Sequence, residues 1–287
     1  MNRWLVGARI KTLPAAVVPV ALGSVVCVGA GGASWELVPL AAVVALSLQV
    51  AVNFANDYSD GIRGTDADRV GPIRLVGSGL ASASSVRRAA MIAFGVAALS
   101  GLVLAAVTTW WLLAIGAASI LAGWFYTGGP RPYGYAGFGE VFVFVFFGLV
   151  ATVGTTYVII ERIPFESWAY GVASGALSCA LLVTNNLRDI PSDRESGKRT
   201  LAVRLGDRRT RSFFVLLVVT SFVVLLATAF RRPETLVVVL ATPFVVRPVR
   251  SVVRGAAGRD LIPVLAGTAR LQLVIGALVT TSSIVFG

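Results

Sequence analysis

Long stretches without a charged side chain alternate along the chain with short charged ones. Charge-free runs cover residues 12–35, 37–56, 141–160, 167–187, 212–230 and 271–287. Each is close to the roughly 20 apolar residues that an α-helix needs to cross a bilayer. One further run, 89–130, is twice that length, and Thr108-Thr109-Trp110-Trp111 is the natural place for it to turn. The run 235–246 is short and makes a span only if Arg232 and Arg247 or Arg250 snorkel outward. The pattern predicts nine transmembrane helices in one all-α integral membrane domain over 1–287. Pro14 and Pro19 are expected to kink the first span. That stretch is expected to remain a helix rather than act as a removable leader, because it is long, proline-broken and followed at once by another span.

Composition agrees. Of 287 residues, 56% are hydrophobic and 14% charged, with a mean hydropathy of +0.81. A soluble globule has no interior for so much apolar surface, and disordered, collagenous and nucleic-acid-binding chains are excluded on the same ground. The net charge of +11 is a matter of topology. With nine spans, 22 of the 25 Lys and Arg residues fall on one side, in the N-terminus and the loops after the even-numbered helices. The positive-inside rule makes that side cytoplasmic, with the N-terminus inside and the C-terminus external. The loops that carry the chemistry then face the cytoplasm, and the basic surplus suits anionic headgroups of membrane lipid.

Two shortages restrict the chemistry. There is no histidine, which removes imidazole bases, His-ligated metals and Ser-His-Asp triads. Two distant cysteines, Cys27 and Cys179, make neither a disulfide framework nor a thiolate cluster. Carboxylates, basic groups, hydroxyls and a hard metal ion remain.

Half of the 14 acidic residues sit in two short segments, each at the cytoplasmic end of an even-numbered span: Asp57, Asp60, Asp66 and Asp68, then Asp189, Asp193 and Glu195. Asn56-x-x-x-Asp60 repeats as Asn185-x-x-x-Asp189 at an offset of 129 residues, and Asn53-x-x-x-Asp57 offers a second frame. Such repetition suggests an internal duplication with a site between the halves. Asp57 with Asp60, and Asp189 with Asp193, share a helical face if each helix runs on past the membrane boundary; Gly61 and Pro191 leave a helix end plus loop as the alternative. Carboxylates so placed repel, and Mg²⁺ is the cation best suited to join them to a diphosphate. Arg63, Arg131, Arg188 and Lys198 lie on the same side to neutralise the remaining charge. Asp68, Glu195 and Asp207 read more simply as a solvated face. Glu140 either lines the site or caps a helix end. The Gly-, Pro- and Tyr-rich stretch Tyr126 to Tyr135 allows close backbone approach to a ligand, and Gly71 to Gly79 is apolar enough to fold over the site as a lid.

Asn56-Asp57-Tyr58-Ser59-Asp60-Gly61-Ile62-Arg63-Gly64-Thr65-Asp66 resembles the first aspartate-rich motif of the UbiA superfamily of intramembrane aromatic prenyltransferases. Asp189-Ile190-Pro191-Ser192-Asp193, followed by Gly197-Lys198-Arg199-Thr200-Leu201, resembles the second. The superfamily pattern places its last Asp at position 64, which is Gly64 here; the acid comes at Asp66. That displacement is similar to the 1,4-dihydroxy-2-naphthoate branch, as are Arg69 to Arg74, Tyr126 to Gly129 and Asn185 to Asp189.

The resemblance implies a UbiA-type bundle in the plasma membrane, with motif segments at 53–79 and 185–206. It implies transfer of a polyprenyl group from polyprenyl diphosphate to 1,4-dihydroxy-2-naphthoate, releasing CO₂ and diphosphate and giving demethylmenaquinol for menaquinone biosynthesis. Asp57, Asp60, Asp66, Asp189 and Asp193 are the expected Mg²⁺ ligands, all but Asp66 also expected to be catalytic. Asn56, Arg63, Arg131, Asn185, Arg188 and Lys198 are expected on the diphosphate, and Asn53, Tyr126, Tyr135 and Glu140 in the substrate pocket. The competing readings are a superfamily member with another acceptor, such as 4-hydroxybenzoate or homogentisate, and, more remotely, a secondary transporter.

Overall fold

The computed structural model describes residues 2–64 and 73–287. Helices α1 (Arg3–Ala8) and α2 (Pro14–Val25) are joined through a 3₁₀ turn at Ile10–Thr12. They are followed by α3 (Val38–Ile62), α4 (Ala83–Val107), α5 (Trp111–Phe125), α6 (Gly139–Val143), α7 (Ala151–Ile160), α8 (Phe165–Glu195), α9 (Leu201–Thr228), α10 (Thr242–Val253) and α11 (Leu261–Phe286). A π-helical stretch, Phe144–Val150, fuses α6 to α7, and a 3₁₀ stretch, Pro233–Ala241, leads into α10. Among the described residues seven helices are long and apolar enough to cross a membrane, or eight if the bent α1–α2 pair is one span. Helix α5, with 15 residues, is shorter than that criterion.

The turn expected at residues 108–111 separates α4 from α5. The first span bends by 49° between Arg3–Thr12 and Pro14–Val25, so the break lies just before Pro14, whose ring suits a helix start. Pro19 lies inside the unbroken α2. Both motif helices continue without a break, α3 through Gly61 to Ile62 and α8 through Pro191 to Glu195.

Helix α8 is the buried axis of the bundle, and small residues let its neighbours approach. A Cβ placed on Gly148 of the π segment would stand 2.5 Å from the Gly175 Cα of α8. The main core joins α2, α8, α9, α10 and α11; a second joins α1, α3, α4 and α5 beneath the segment around Leu75. At one end of the bundle Arg3 donates to the Leu80 carbonyl, Arg63 to Thr127 and Gly129, the Arg199 amide to Tyr135, and Arg211 to Val252 and Ala256. At the other end the Ser34 amide donates to Ile159, Arg232 to Val26 and Ser282 to Glu234. The loops rich in basic residues are thereby gathered together.

Candidate active site between the two motif helices

A cavity of about 1270 Å³ runs through the bundle between α3 and α8. On α3 it is lined by Ala41, Val44, Ala45, Leu48, Gln49, Val52, Asn53, Asn56 and Asp60, one stripe at helical spacing. At about 1.5 Å per residue that stripe is about 28 Å long, close to the thickness of a bilayer's hydrocarbon core. On α8 the matching stripe is Ser178, Leu181, Leu182, Asn185, Asn186, Asp189, Ser192 and Asp193. Both stripes pass from apolar to polar toward the end where the basic loops gather. Phe142, Phe146, Phe147 and Val150 of the π-containing rod add to the apolar part, which reaches the surface-exposed Trp111 and Trp168.

The duplicated frame Asn56/Asp60 and Asn185/Asp189 is the one that faces inward. Asp60 is 4% exposed and receives the Lys198 ammonium at 3.1 Å, the Arg74 guanidinium at 3.4 Å and the Tyr135 hydroxyl. The Lys198 ammonium also sits 4.5 Å over the Tyr135 ring. Asp189 takes a fork from the adjacent Arg188 at 2.7 and 2.8 Å, and Asp193 accepts from the Thr200 hydroxyl at 3.4 Å. Asn56 accepts from the Thr127 hydroxyl at 2.8 Å, while the Asn185 side chain donates to the Leu181 carbonyl. Asn53 donates to the Ala8 carbonyl and to Thr12, which Gln49 also reaches, tying the first span to α3. Among the described residues, no three acidic or cysteine side chains form a ready-made metal cluster.

Several expected site residues stand elsewhere. Asp57 is fully buried, its two oxygens accepting the Leu75 and Val76 amides at 2.8 and 3.0 Å. It does not line the cavity, because the stripe drawn by Asn56 and Asp60 leaves it turned toward the incoming 73–81 segment. Arg63 also lies outside the lining: its guanidinium clamps the carbonyls of Thr127 and Gly129, both at 2.5 Å, and stacks 5.6 Å from the Tyr135 ring. Arg131 is exposed and outside the lining, since the 126–135 loop folds on itself through Gly134 N–H to Tyr126 and the Tyr133 hydroxyl to Ala122. Glu140 stands behind the wall, bonded to Asn186 at 2.8 Å. Asp66 and Asp68 lie outside the described residues. Tyr126 does line the cavity, and burial, followed by the nearby Glu140, Tyr133, Asp60 and Asp193, holds its phenol well above the usual tyrosine range. Burial likewise raises the Tyr133 phenol.

Arg9, Lys11, Thr12, Gln49, Arg74, Thr127, Asn186 and Ser192 line the cavity and had no expected role there. Spacing offered a signal for two of them: Gln49 is one helical turn before Asn53, and Ser192 lies three residues after Asp189. Asn186 stands on α8 one turn before Asp189, and the rest come from the segments outside α3 and α8.

The profile of the UbiA prenyltransferase family matches residues 16–260. This chain belongs to that family. Among relatives, a 1,4-dihydroxy-2-naphthoate octaprenyltransferase of Mycobacterium tuberculosis is 50% identical, covering 99% of this chain and 97% of the relative. The fold matches a UbiA homolog from Aeropyrum pernix with a TM-score of 0.71 at 15% identity over 96% of each chain. It also matches a UbiA homolog from Archaeoglobus fulgidus bound to DMAPP and Mg²⁺, with a TM-score of 0.65 at 15% identity, over 100% of each chain. The chain is thus a multi-span membrane prenyltransferase, and the inward-facing frame holds the aspartates of the two UbiA-like motifs.

Proposed function

We propose that the protein transfers a polyprenyl group from polyprenyl diphosphate to 1,4-dihydroxy-2-naphthoate, giving demethylmenaquinol, CO₂ and diphosphate. One observation carries the reading: a single cavity joins paired aspartates and amides at one end to an apolar groove about as long as a bilayer core is thick. The naphthoate acceptor is supported by the half-identical relative that acts on it.

Asp60, Asp189 and Asp193, with the amide oxygens of Asn56 and Asn185, line the cavity as oxygen donors of the kind Mg²⁺ takes and are the residues that would hold it. Held there, Mg²⁺ would supply neutralising charge for the departing diphosphate. Lys198, Arg74 and Arg188, which rest on these carboxylates, are placed to take the diphosphate oxygens. The apolar groove holds the tail, each buried CH₂ contributing roughly 0.8 kcal/mol. The allylic C–O bond breaks with its electron pair leaving on diphosphate. The carboxylate-bearing ring carbon forms the new C–C bond. The C–CO₂⁻ bond then breaks and returns its pair to the ring. Because CO₂ departs where a proton otherwise would, no base is needed at that carbon, which suits a chain without histidine.

Asp57 and Arg63 are assigned as positioning residues for the loops that cover this end. Nine spans are supported by the charge distribution, with α5 as a short span. The same distribution places the motif end and the N-terminus in the cytoplasm and the C-terminus outside, in the plasma membrane. The test is product formation by purified protein in detergent with farnesyl diphosphate and each candidate acid. Demethylmenaquinol-type product is expected from dihydroxynaphthoate, lost with EDTA and restored by Mg²⁺. Prenylation of 4-hydroxybenzoate alone would reject the acceptor assignment.

A further inference from the structure

Glu140 is 4% exposed, close to the polar end of the cavity, yet outside its lining. Its Oε1 accepts from the Asn186 Nδ2 at 2.8 Å, and its Oε2 is buried without a hydrogen-bond partner. The backbone holds Glu140 in place: its carbonyl accepts from the Cys179 thiol of α8 at 3.1 Å, and Gly139 beside it leaves room for the Tyr126 ring. Burying a carboxyl group with one oxygen unpartnered costs free energy. Among the described residues its side-chain hydrogen bond is with Asn186, which lines the cavity one turn before Asp189.

An amide has two faces of opposite character. With one Nδ2 hydrogen committed to Glu140, which stands behind the wall, the Asn186 amide is fixed in rotation and its Oδ1, an acceptor, lies on the side away from Glu140, the second Nδ2 hydrogen remaining on the Glu140 side. We infer that Glu140 is a positioning residue that locks the Asn186 amide so that Oδ1 accepts a hydrogen bond from a ring hydroxyl of the aromatic substrate. This rests on the naphthoate reading and adds the group that recognises the hydroxyl. Without Glu140 the amide rotates freely and presents its NH₂ group about as readily as its oxygen. A hydroxyl donor then gains less. Electron density on the ring, which the alkylation uses, is favoured by an acceptor on the phenol and opposed by a donor.

The experiment is steady-state kinetics on the full-length enzyme with four proteins: wild type, Glu140→Gln, Glu140→Leu and Asn186→Leu. Each is also titrated with the mono-hydroxy analogues 1-hydroxy-2-naphthoate and 4-hydroxy-2-naphthoate as competitive inhibitors. Glu140→Gln retains an oxygen for Nδ2 and is expected to stay near wild type. Glu140→Leu and Asn186→Leu are expected to raise the acceptor KM by about tenfold, one hydrogen bond's worth, with the polyprenyl diphosphate KM unchanged. Wild type should prefer the dihydroxy acid over at least one analogue, and both Leu variants should lose that preference. Unchanged preference in the Leu variants, or a Glu140→Gln enzyme as impaired as Glu140→Leu, overturns the inference. A wild-type enzyme that ignores naphthoate altogether rejects the acceptor reading instead, and the two failures are told apart in the first assay.

Discussion

Three positions separate Asp57 from Asp60 on α3, yet Asp57 meets backbone amides and Asp60 meets cations. Their charge was legible in the sequence; their division of labour was not, because it depends on where the chain returns at Leu75 and Val76. Asn in place of Asp57 leaves one oxygen for two amide donors and turns its NH₂ on the other. The Asp57→Asn protein is expected to lose roughly 1.5–3 kcal/mol of stability, the scale of a hydrogen bond to a charged group, read as a lower midpoint of thermal unfolding in detergent. Asp60→Asn, Asp189→Asn and Asp193→Asn should lose turnover by about 100-fold or more, as when a group stabilising transition-state charge is removed, whereas Asp57→Asn keeps more of its turnover at a temperature where it is folded. Equal loss of turnover in all four would contradict the distinction. Tyr126 gives a pH test. Its phenol is held above the usual value of about 10, so rising pH does not deprotonate it over the working range. Alkaline limbs of wild type and Tyr126→Phe are expected to superimpose after scaling.

At the scale of elements, the two cavity stripes follow from helical period alone. Asn53, Asn56 and Asp60 on α3, and Asn185, Asp189 and Asp193 on α8, are read off the sequence once each helix is known to continue through its motif. That continuation was open because Gly61 and Pro191 weaken a helix locally; Gly61 is packed against Val76, while α8 runs through the exposed Pro191 to Glu195. The π segment left no such trace. Its extra residue per turn lies where Gly148 meets Gly175, and the crossing leaves Phe146 and Phe147 on the cavity wall. Gly148→Val is expected to cost about 1–3 kcal/mol by overpacking and to shift the preferred prenyl length, since the wall moves with the helix. A variant with wild-type midpoint and chain-length profile would show that the contact is dispensable.

For the molecule as a whole, charge counting along the chain separated the loops into two sets, and the hydrogen bonds at the two ends of the bundle join members of the same set. Which end faces the cytoplasm rests on the distribution of Arg and Lys. Cys27 and Cys179 are buried, so single cysteines placed at exposed positions report alone. A maleimide that cannot cross membranes should label Gly31→Cys in intact cells and Ser196→Cys only after the membrane is opened. The reverse pattern would invert the orientation. The chain pattern pointed to a lid at Gly71 to Gly79 and a close approach at Tyr126 to Tyr135, but not to the contacts that close the polar end, where residues far apart in sequence (Arg63 with Thr127, Tyr135 with Asp60 and Lys198) meet over the aspartates.

The apolar groove reaches Trp111 and Trp168 on the surface of the bundle. A ligand occupying it never has to leave an oily medium, whether it arrives as donor or departs as product. Encounter then takes place in two dimensions, so velocity should follow the mole fraction of polyprenyl diphosphate in the lipid or micelle rather than its molarity in the tube. Adding inert detergent at constant donor would slow the enzyme by dilution of the surface alone.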